Sequence, residues 1–197
     1  MTRRRSRYRY RAHSHFRSSM ATIAALVATP ILTVVLLASV GQLLPRQQGA
    51  SLTRVFPEAP EVLWQLITDL DNQPTWRRGL TRVERLPDQG GRTAWLEFHG
   101  RAAEAVRVVD ARAPLRLVTE RVGEGTEAVE ASWEWTLAAV EEGSRLTLTR
   151  QVVVHQPLAR AVGFVFQAPR REVERALADL SQRVATAERL RTTALNQ

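Results

Sequence analysis

Apolar and polar residues alternate along much of the chain after residue 50, which is the pattern of β-strands that bury one face. Turn sequences such as Pro-Asp, Gly-Gly and Glu-Glu-Gly-Ser separate most of the alternating runs. We therefore expect a domain built largely on a sheet. The predicted strands are residues 51–56, 81–86, 93–99, 102–111, 115–122, 129–139 and 145–155.

The last two predicted strands have the clearest alternation, and it indicates how they pair. Trp133 and Trp135 share one apolar face of the first strand, while Leu148 and Val152 share one face of the second. A loop over residues 141–144 makes these faces coincide, whereas a slip of one residue would set apolar against polar side chains. The predicted partners are Val140 with Arg145, Leu137 with Leu148, Trp135 with Arg150, Trp133 with Val152 and Ala131 with Val154.

Other segments have the periodicity of helices. One begins at Pro60, because a proline suits the first turn of a helix, and a second short helix is predicted around Thr75–Arg78. The C-terminal region, residues 157–191, divides at a proline. It predicts a short apolar helix or lid at Leu158–Ala168, followed by a long helix with Pro169 in its first turn.

The long C-terminal helix has one apolar stripe and one charged side. We expect the stripe to lie across the sheet face that bears Trp133, Trp135 and Leu148. The stripe consists of Val173, Leu177, Leu180, Val184 and Ala187, and the predicted ion pairs of the opposite side involve Arg175, Asp179 and Arg183.

The first 50 residues differ from the rest and predict a membrane anchor. Met20–Leu44 lies in an uncharged stretch and, at ~1.5 Å per residue, is long enough to cross a ~30 Å hydrocarbon core. A signal peptide cleaved near Ser39–Gly41 and a buried soluble helix are the alternatives. The chain then divides into an arginine-rich arm at 1–19, a transmembrane helix at 20–44, a linker at 45–50 (Pro45–Ala50), a folded domain at 51–191 and a tail at 192–197.

The distribution of charge orients this anchor and argues against a nucleic-acid-binding domain. All 28 basic residues are arginine; eight lie in residues 1–50, which contain no acid, and the other 20 are balanced by all 20 acids. The net charge of +8 therefore belongs to the N-terminal region and not to the folded domain. The positive-inside rule predicts a single-pass protein of the cell membrane, with a cytoplasmic N-terminus and an extracytoplasmic domain.

Arg150 is the residue that a plain apolar core would not contain, because an unpaired buried guanidinium is costly to desolvate. It either anchors a carboxylate, phosphate or carbonyl of a ligand, or pairs with an internal acid such as Glu104, or reaches solvent at the sheet edge. The tryptophans either form a flat wall for rings or acyl chains or simply fill the core. The candidate ligand-binding residues are Trp133, Trp135, Leu148, Arg150, Val152, Phe98, Phe164 and Phe166.

The sequence nominates no nucleophile, metal ligand or cofactor-binding residue. It contains no G-x-S-x-G, P-loop or G-x-G-x-x-G motif, and the absence of cysteine excludes disulfides and thiolate metal sites. Glu97 and His99 could form an acid–base pair, but they alternate with Leu96 and Phe98. We therefore expect Glu97 and His99 to face solvent.

The segment at residues 158–166 is apolar on nearly every side. It is either a mobile gate over a cavity mouth that can dip into lipid, with Gly163 as its hinge, or a short buried helix that leads into the long one.

The order of these elements and two stretches of sequence resemble a known superfamily. Pro60–Asp69, followed by Pro74-Thr75-Trp76, looks like the opening pattern of the START-like (SRPBCC) superfamily, and Trp133–Leu137 with Gly143–Thr149 is similar to its closing hairpin. The resemblance is to the bacterial polyketide cyclase/dehydrase and lipid-transport branch, over about Ser51–Arg191. It implies an α+β helix-grip fold, with a seven-stranded antiparallel sheet curled around a long C-terminal helix. The membrane anchor and the proline in the terminal helix depart from the family pattern.

Together these features predict a membrane-anchored binder or carrier of a hydrophobic small molecule, such as a lipid, an isoprenoid or an aromatic polyketide, held between sheet and C-terminal helix. One alternative is a cyclase/dehydratase-like enzyme, which needs an acid–base pair that points into the cavity. Another is a ligand-free interaction module for a second membrane protein. An isolated inward arginine favours binding, an arginine with an inward histidine or acid favours catalysis, and a filled cavity favours the module.

Overall fold

The computed structural model describes residues 14–89, 91–122 and 129–195, so most of the predicted arginine-rich arm and the last two residues of the predicted tail lie outside it. The helices are α1 (Ser14–Leu43), α2 (Pro60–Thr68), α3 (Pro157–Val165) and α4 (Ala168–Leu195), with a short 3-10 turn at Gln73–Thr75. The strands are β1 (Gln47–Phe56), β2 (Arg82–Gln89), β3 (Arg92–His99), β4 (Ala102–Arg112), β5 (Arg116–Val122), β6 (Val129–Val140) and β7 (Gly143–Val153).

Within the described residues, the strands form one seven-stranded antiparallel sheet in the order β1-β7-β6-β5-β4-β3-β2. Strands β2 to β7 lie side by side in their sequence order, whereas β1 pairs with β7 and so brings the first and last strands together. The α+β architecture and the seven strands predicted from the alternation are confirmed. We call the face of the sheet towards α4 the inner face and the opposite one the outer face.

The core lies between the inner face and α4, as predicted. Leu146 and Leu148 of β7 are fully buried in the same cluster as Leu137 of β6 and the apolar stripe of α4. The stripe residues in this cluster are Val173, Leu177, Leu180 and Val184. Burial of each such side chain contributes about 1.5–3 kcal/mol to stability, so this contact is the main source of cohesion between helix and sheet. On the outer face the hydroxyl groups of Thr147 and Thr149 are hydrogen-bonded to those of β1.

The predicted pairing of β6 with β7 has the correct faces but the wrong partners. Trp133 lies opposite Arg150 and Trp135 opposite Leu148, so the strands are displaced by two residues from the predicted register. Because Val140 pairs with Gly143, the turn is only Glu141-Glu142 and is tighter than the predicted four-residue loop. A displacement of two residues preserves which side chains share a face, and the alternation therefore could not detect it.

Gly143 permits this tight turn. Its φ of +128° is a backbone conformation that other residues rarely adopt, and a Cβ at this position would collide with the carbonyl groups of Phe56 and Pro57. The next residue, Ser144, is fully buried and donates a hydrogen bond to the carbonyl oxygen of Glu58. The end of β1 and the β6–β7 turn are thereby packed against each other.

The C-terminal region divides where the sequence predicts, since α3 ends at Val165 and Pro169 lies in the first turn of α4. The predicted position of Asp179 on the solvent side of α4 is wrong. Asp179 is buried and accepts hydrogen bonds from the backbone N–H of Arg78 at 2.9 Å and from its Nε at 2.5 Å. It therefore ties the segment after the 3-10 turn to α4.

The predicted linker Pro45–Ala50 is wrong for most of its length, because β1 begins at Gln47. The last turns of α1 instead pack directly on α3. Gly41 allows this contact, since a Cβ there would collide with the carbonyl group of Pro157. Arg160 of α3 is buried and donates a hydrogen bond of 2.9 Å to the carbonyl oxygen of Leu44. The end of α1 is thus fixed to the domain with only a three-residue connection before β1.

The predicted transmembrane helix Met20–Leu44 lies in α1 except for its last residue, but the side chains of residues 20–25 and 27 lie outside the described part of the chain. Among the residues that were described, no helix combines the length and apolar character needed to cross a membrane.

Candidate functional site

The inner face of the sheet is covered unevenly. Helix α4 contacts β1 and β7, at one edge of the sheet, and its apolar stripe is fully buried there. Further across the inner face, Trp133 and Trp135 of β6 and Val108 of β4 pack against this core but are only partly buried. Glu104 and Arg121, on β4 and β5, are also partly buried. We call the surface formed by these five residues the inner groove.

Two tryptophans form the apolar wall of the inner groove. Trp133 and Trp135 are successive inner-face residues of β6, and their ring centroids lie 6.4 Å apart with an interplanar angle of 28°. Such an offset arrangement is favourable for aromatic pairs and presents a flat surface. Of the other predicted ligand-binding residues, Leu148 lies beside this wall but is fully buried in the core, and Val152 is partly buried near the end of β7.

Arg150 lies next to the wall but is not a free cation. Its guanidinium lies 4.4 Å from the ring centroid of Trp133, and its Nε donates to the carboxylate of Glu172 at the start of α4. Of the alternatives for Arg150, the structure shows pairing with an internal acid, and the acid is Glu172 rather than Glu104. Burial lowers the pKa of Arg150, and the Glu172 carboxylate counters this effect only in part.

Glu97 and His99 point inward, contrary to the prediction that they face solvent. Glu97 is buried and shares its side of β3 with Trp95, which packs with Leu70 in a second small core cluster. Phe98 consequently lies on the outer face, where the guanidinium of Arg82 is 4.0 Å from its ring centroid. Phe98 is thus not a residue of the groove. Trp95 could have corrected the prediction, because residues two apart on a strand share a face. A buried Trp95 therefore implies that Glu97 also points inward.

The carboxylate of Glu97 is saturated with donors. Arg77 donates to both of its oxygens, at 2.7 and 3.0 Å, and the indole N–H of Trp95 donates at 3.1 Å. The Nε2 atom of His99 lies 3.5 Å from Oε2, and its Nδ1 lies 3.2 Å from the carbonyl oxygen of Gly79. Both ring nitrogens of His99 therefore face acceptors, an arrangement that favours the doubly protonated ring.

These contacts shift both pKa values in the direction of an ion pair. Burial alone raises the pKa of Glu97, but the hydrogen bond from His99, together with the charge and hydrogen bonds of Arg77 and the Trp95 indole, outweighs burial and lowers the pKa to about 2. The hydrogen bond to Glu97 raises the pKa of His99 against the opposing effect of desolvation. A carboxylate with so low a pKa is a poor general base near neutral pH, because efficient bases have a pKa near the operating pH.

The inward charges form a belt of ion pairs at one end of the sheet. Arg77 pairs with Glu97, Arg121 with Glu104 at 2.7 Å, and Arg150 with Glu172. This end contains the end of β3, the start of β4, the end of β5 and the start of β1. It also contains α3, because the side chain of Gln48 in β1 donates a hydrogen bond of 3.0 Å to the carbonyl oxygen of Arg160. The inner groove thus has an aromatic wall and a charge-compensated belt next to α3.

The remaining predicted ligand-binding residues, Phe164 and Phe166, lie at the end of α3 and are exposed. The guanidinium of Arg171 lies 5.9 Å from the ring centroid of Phe166. Both phenylalanines therefore lie on the protein surface and not among the residues that form the inner groove.

A cleft of about 700 Å³ lies at the opposite end of the sheet, between the α2 entry and the turns that precede β5 and β7. It is lined by Pro57, Ala59, Pro60, Glu61, Pro114, Leu115 and residues 139–143. None of the predicted ligand-binding residues lies in it.

Comparison with solved structures finds a similar fold in other proteins. An aromatase/cyclase from a Streptomyces species superposes with a TM-score of 0.53 at 15% identity, over 73% of this chain and 94% of that one. A Thermus thermophilus protein gives a TM-score of 0.55 at 19% identity, over 71% and 99% of the two chains. A Mesorhizobium loti protein gives 0.53 at 15% identity, over 68% and 95%. These likenesses concern the fold.

Sequence comparison identifies the family. No curated protein matches the chain significantly. The model of the family described as polyketide cyclase / dehydrase and lipid transport matches residues 47–185, from the start of β1 to the later turns of α4. Since this match covers the whole sheet and most of the chain, the protein belongs to the polyketide cyclase/dehydrase and lipid transport family.

Proposed function

We propose that the protein is a membrane-anchored binder or carrier of a hydrophobic small molecule, which it holds in the inner groove between the sheet and α4. The observation that carries this proposal is the partly exposed Trp133–Trp135 stack on the inner face, where a closed core would bury both rings. Membership of a family that includes lipid transport and the fold shared with an aromatase/cyclase support the same reading.

The charges around the groove favour an uncharged ligand. Arg150 is compensated by Glu172, and Arg121 by Glu104, so neither cation requires a ligand anion. The tryptophan wall favours a flat ring system or an acyl chain, which it contacts over a large apolar area. Lipids, isoprenoids and aromatic polyketides without a free acid meet both conditions.

A cyclase/dehydratase-like enzyme is the second candidate, and one observation favours it. His99 points to the inner side of the sheet and has a raised pKa, which an acid catalyst could use. Both of its ring nitrogens face acceptors, however, and Glu97 is saturated with donors. The contacts of Glu97 and His99 therefore fit a binding protein better than an enzyme that uses them as acid and base. A ligand-free interaction module fits less well still, because both tryptophans of the wall are only partly buried.

The proposed anchor is α1, and the proposed location is the cell membrane with the domain on the extracytoplasmic side. Among the described side chains of α1, large apolar residues are exposed around the helix before its contact with α3, including the consecutive residues Val34, Val35 and Leu36. A helix of this kind requires lipid or protein around it. The seven arginines that precede the uncharged stretch favour a cytoplasmic N-terminus.

Native mass spectrometry of the detergent-purified full chain tests the proposed ligand. We expect a co-purified hydrophobic molecule, and we expect a Trp133→Ala/Trp135→Ala variant to lose most of it together with its binding of the neutral dye N-phenylnaphthylamine. Phe98→Ala is the matched control, because it removes an aromatic ring from the outer face. Equal dye binding by all three proteins, with no co-purified molecule, would overturn the proposal.

A further inference from the structure

The far end of α3 has an apolar surface without a partner in the described structure. Phe164, Val165 and Phe166 are 60%, 65% and 55% exposed, and Val162 is exposed beside them. Three consecutive large apolar residues of this kind are unusual on a surface that meets only water, and they commonly mark a contact with a membrane or a protein. We call these four residues the α3 tip.

The position of α3 relative to α1 indicates what the α3 tip meets. Where the side chains of α1 are described (residue 26 and residues 28–43), the less exposed ones are Leu37, Ala38 and Gly41, and Leu44 follows at the helix end. Their spacing of three and four residues forms one stripe, and the contact of Gly41 with Pro157 places that stripe against α3. Helix α3 therefore packs beside the last two turns of α1.

This packing fixes the depth of α3 in a membrane. Leu37 and Leu44 are seven residues apart, which corresponds to about 10 Å along a helix axis. If α1 crosses a membrane and leaves it near Leu44, then α3 lies within the outermost ~10 Å of that span, which is the depth at which amphipathic helices rest in the headgroup region. The three-residue connection from α1 to β1 leaves the domain little freedom to move away.

The polar groups around α3 suit this location. The Arg160 guanidinium, which would otherwise be costly at this depth, donates to the carbonyl oxygen of Leu44 at the end of α1. Arg46, Arg170 and Arg171 are exposed on the segments that flank α1 and α3. Arginines at such a boundary extend their charged ends to lipid phosphates while their stems remain among apolar groups.

We infer that the α3 tip inserts into the outer leaflet of the membrane that α1 enters, so that the belt end of the inner groove lies at the lipid surface. The inference rests on the proposed anchoring by α1. It adds a second membrane contact beside α1. It also gives the direction from which a ligand enters the inner groove, because the end of the groove next to α3 then faces lipid while the 700 Å³ cleft faces water.

The chain contains no cysteine, so one introduced cysteine gives a unique labelling site. We would attach a nitrobenzoxadiazole fluorophore at Phe164→Cys, and separately at Phe166→Cys, in the full chain reconstituted into phosphatidylcholine–phosphatidylglycerol vesicles. Leu115→Cys is the matched control, because Leu115 is an exposed apolar residue at the opposite end of the sheet. Lipids with a nitroxide near the headgroup, or near the end of the acyl chain, serve as quenchers.

We expect blue-shifted emission at positions 164 and 166 and several-fold stronger quenching by the shallow nitroxide than at position 115. Emission at 164 and 166 that matches position 115, in protein retained by the vesicles, would overturn the inference and leave the anchor intact. Failure of the chain to float with vesicles would overturn both the anchor and the inference. Neither result affects the ligand test, which is carried out in detergent with the tryptophan variants.

Discussion

Arg150 remains charged inside the protein because two neighbours on different elements stabilise it. The carboxylate of Glu172 approaches from α4, and the ring of Trp133 approaches from β6. The alternation within β7 was enough to single out Arg150, since this arginine interrupts an otherwise apolar face. It could not identify Glu172, which lies on the side of α4 next to the apolar stripe and meets Arg150 only after α4 has packed on β7.

This pair predicts unequal effects of its two neutralising substitutions. Arg150→Met leaves Glu172 with 39% of its side chain exposed and free to turn to water, whereas Glu172→Gln leaves a 9% exposed guanidinium uncompensated. Uncompensated buried charges are the costly case, so we expect a loss of about 3 kcal/mol for Glu172→Gln and about 1 kcal/mol for Arg150→Met. Denaturant unfolding of both variants in detergent measures these losses. The double variant should recover most of the loss, and equal losses would contradict the account.

Glu97 and His99 predict a stability optimum in weakly acidic solution. The pKa of Glu97 is about 2 in the folded chain, against 4.5 ordinarily, so its contribution is present above pH 4.5 and is lost as the pH falls towards 2. The pKa of His99 is raised above 6.5, so its contribution is complete below pH 6.5 and is lost at higher pH. We expect Glu97→Gln to flatten the acid side of the melting-temperature profile and His99→Gln to flatten the other. Unchanged profiles would count against the ion pair.

At the scale of elements, alternation predicts faces well and partners poorly. It identified seven strands, the buried stripe of α4 and the sheet face on which α4 lies. It failed on the partners of Trp133 and Trp135, because a shift of two residues leaves every face unchanged. It also failed on Glu97 and Phe98, because β3 has apolar residues on both sides and only the packing of Trp95 decides which side is inner.

The turn that sets the β6–β7 register yields an element-scale prediction. Gly143→Ala should destabilise the protein by about 2 kcal/mol or more, since the residue has positive φ and its Cβ would collide with the Phe56 and Pro57 carbonyl groups. Gly100→Ala is the control, because Gly100 also has positive φ but has open space around it. It should cost only about 1 kcal/mol. Equal melting temperatures for the two variants would show that the close approach at Gly143 does not matter.

At the scale of the whole molecule, the question is whether α1 stays attached to the domain. A signal peptide is removed and leaves no contacts behind, whereas Ala38 and Gly41 lie on the stripe that packs against α3, and Arg160 caps the end of α1. Cleavage near Ser39–Gly41 would remove Ala38 and Gly41 from this contact and leave only Leu44, the acceptor of Arg160, in the mature chain. The architecture therefore favours a retained helix.

A topology experiment tests that expectation in cells. If the proposed anchor is right, membranes washed with carbonate should retain the full-length chain, because the uncharged stretch Met20–Leu44 is held there by hydrophobic contact and not by charge. A reporter fused after Gln197 should be active outside the cytoplasm, since the seven arginines before the uncharged stretch resist transfer across the membrane. Replacing those arginines with glutamine should weaken this orientation and is the control for the charge argument. Release of a mature chain that begins near Gln42 would contradict the anchor, and a soluble exported domain would then carry the groove.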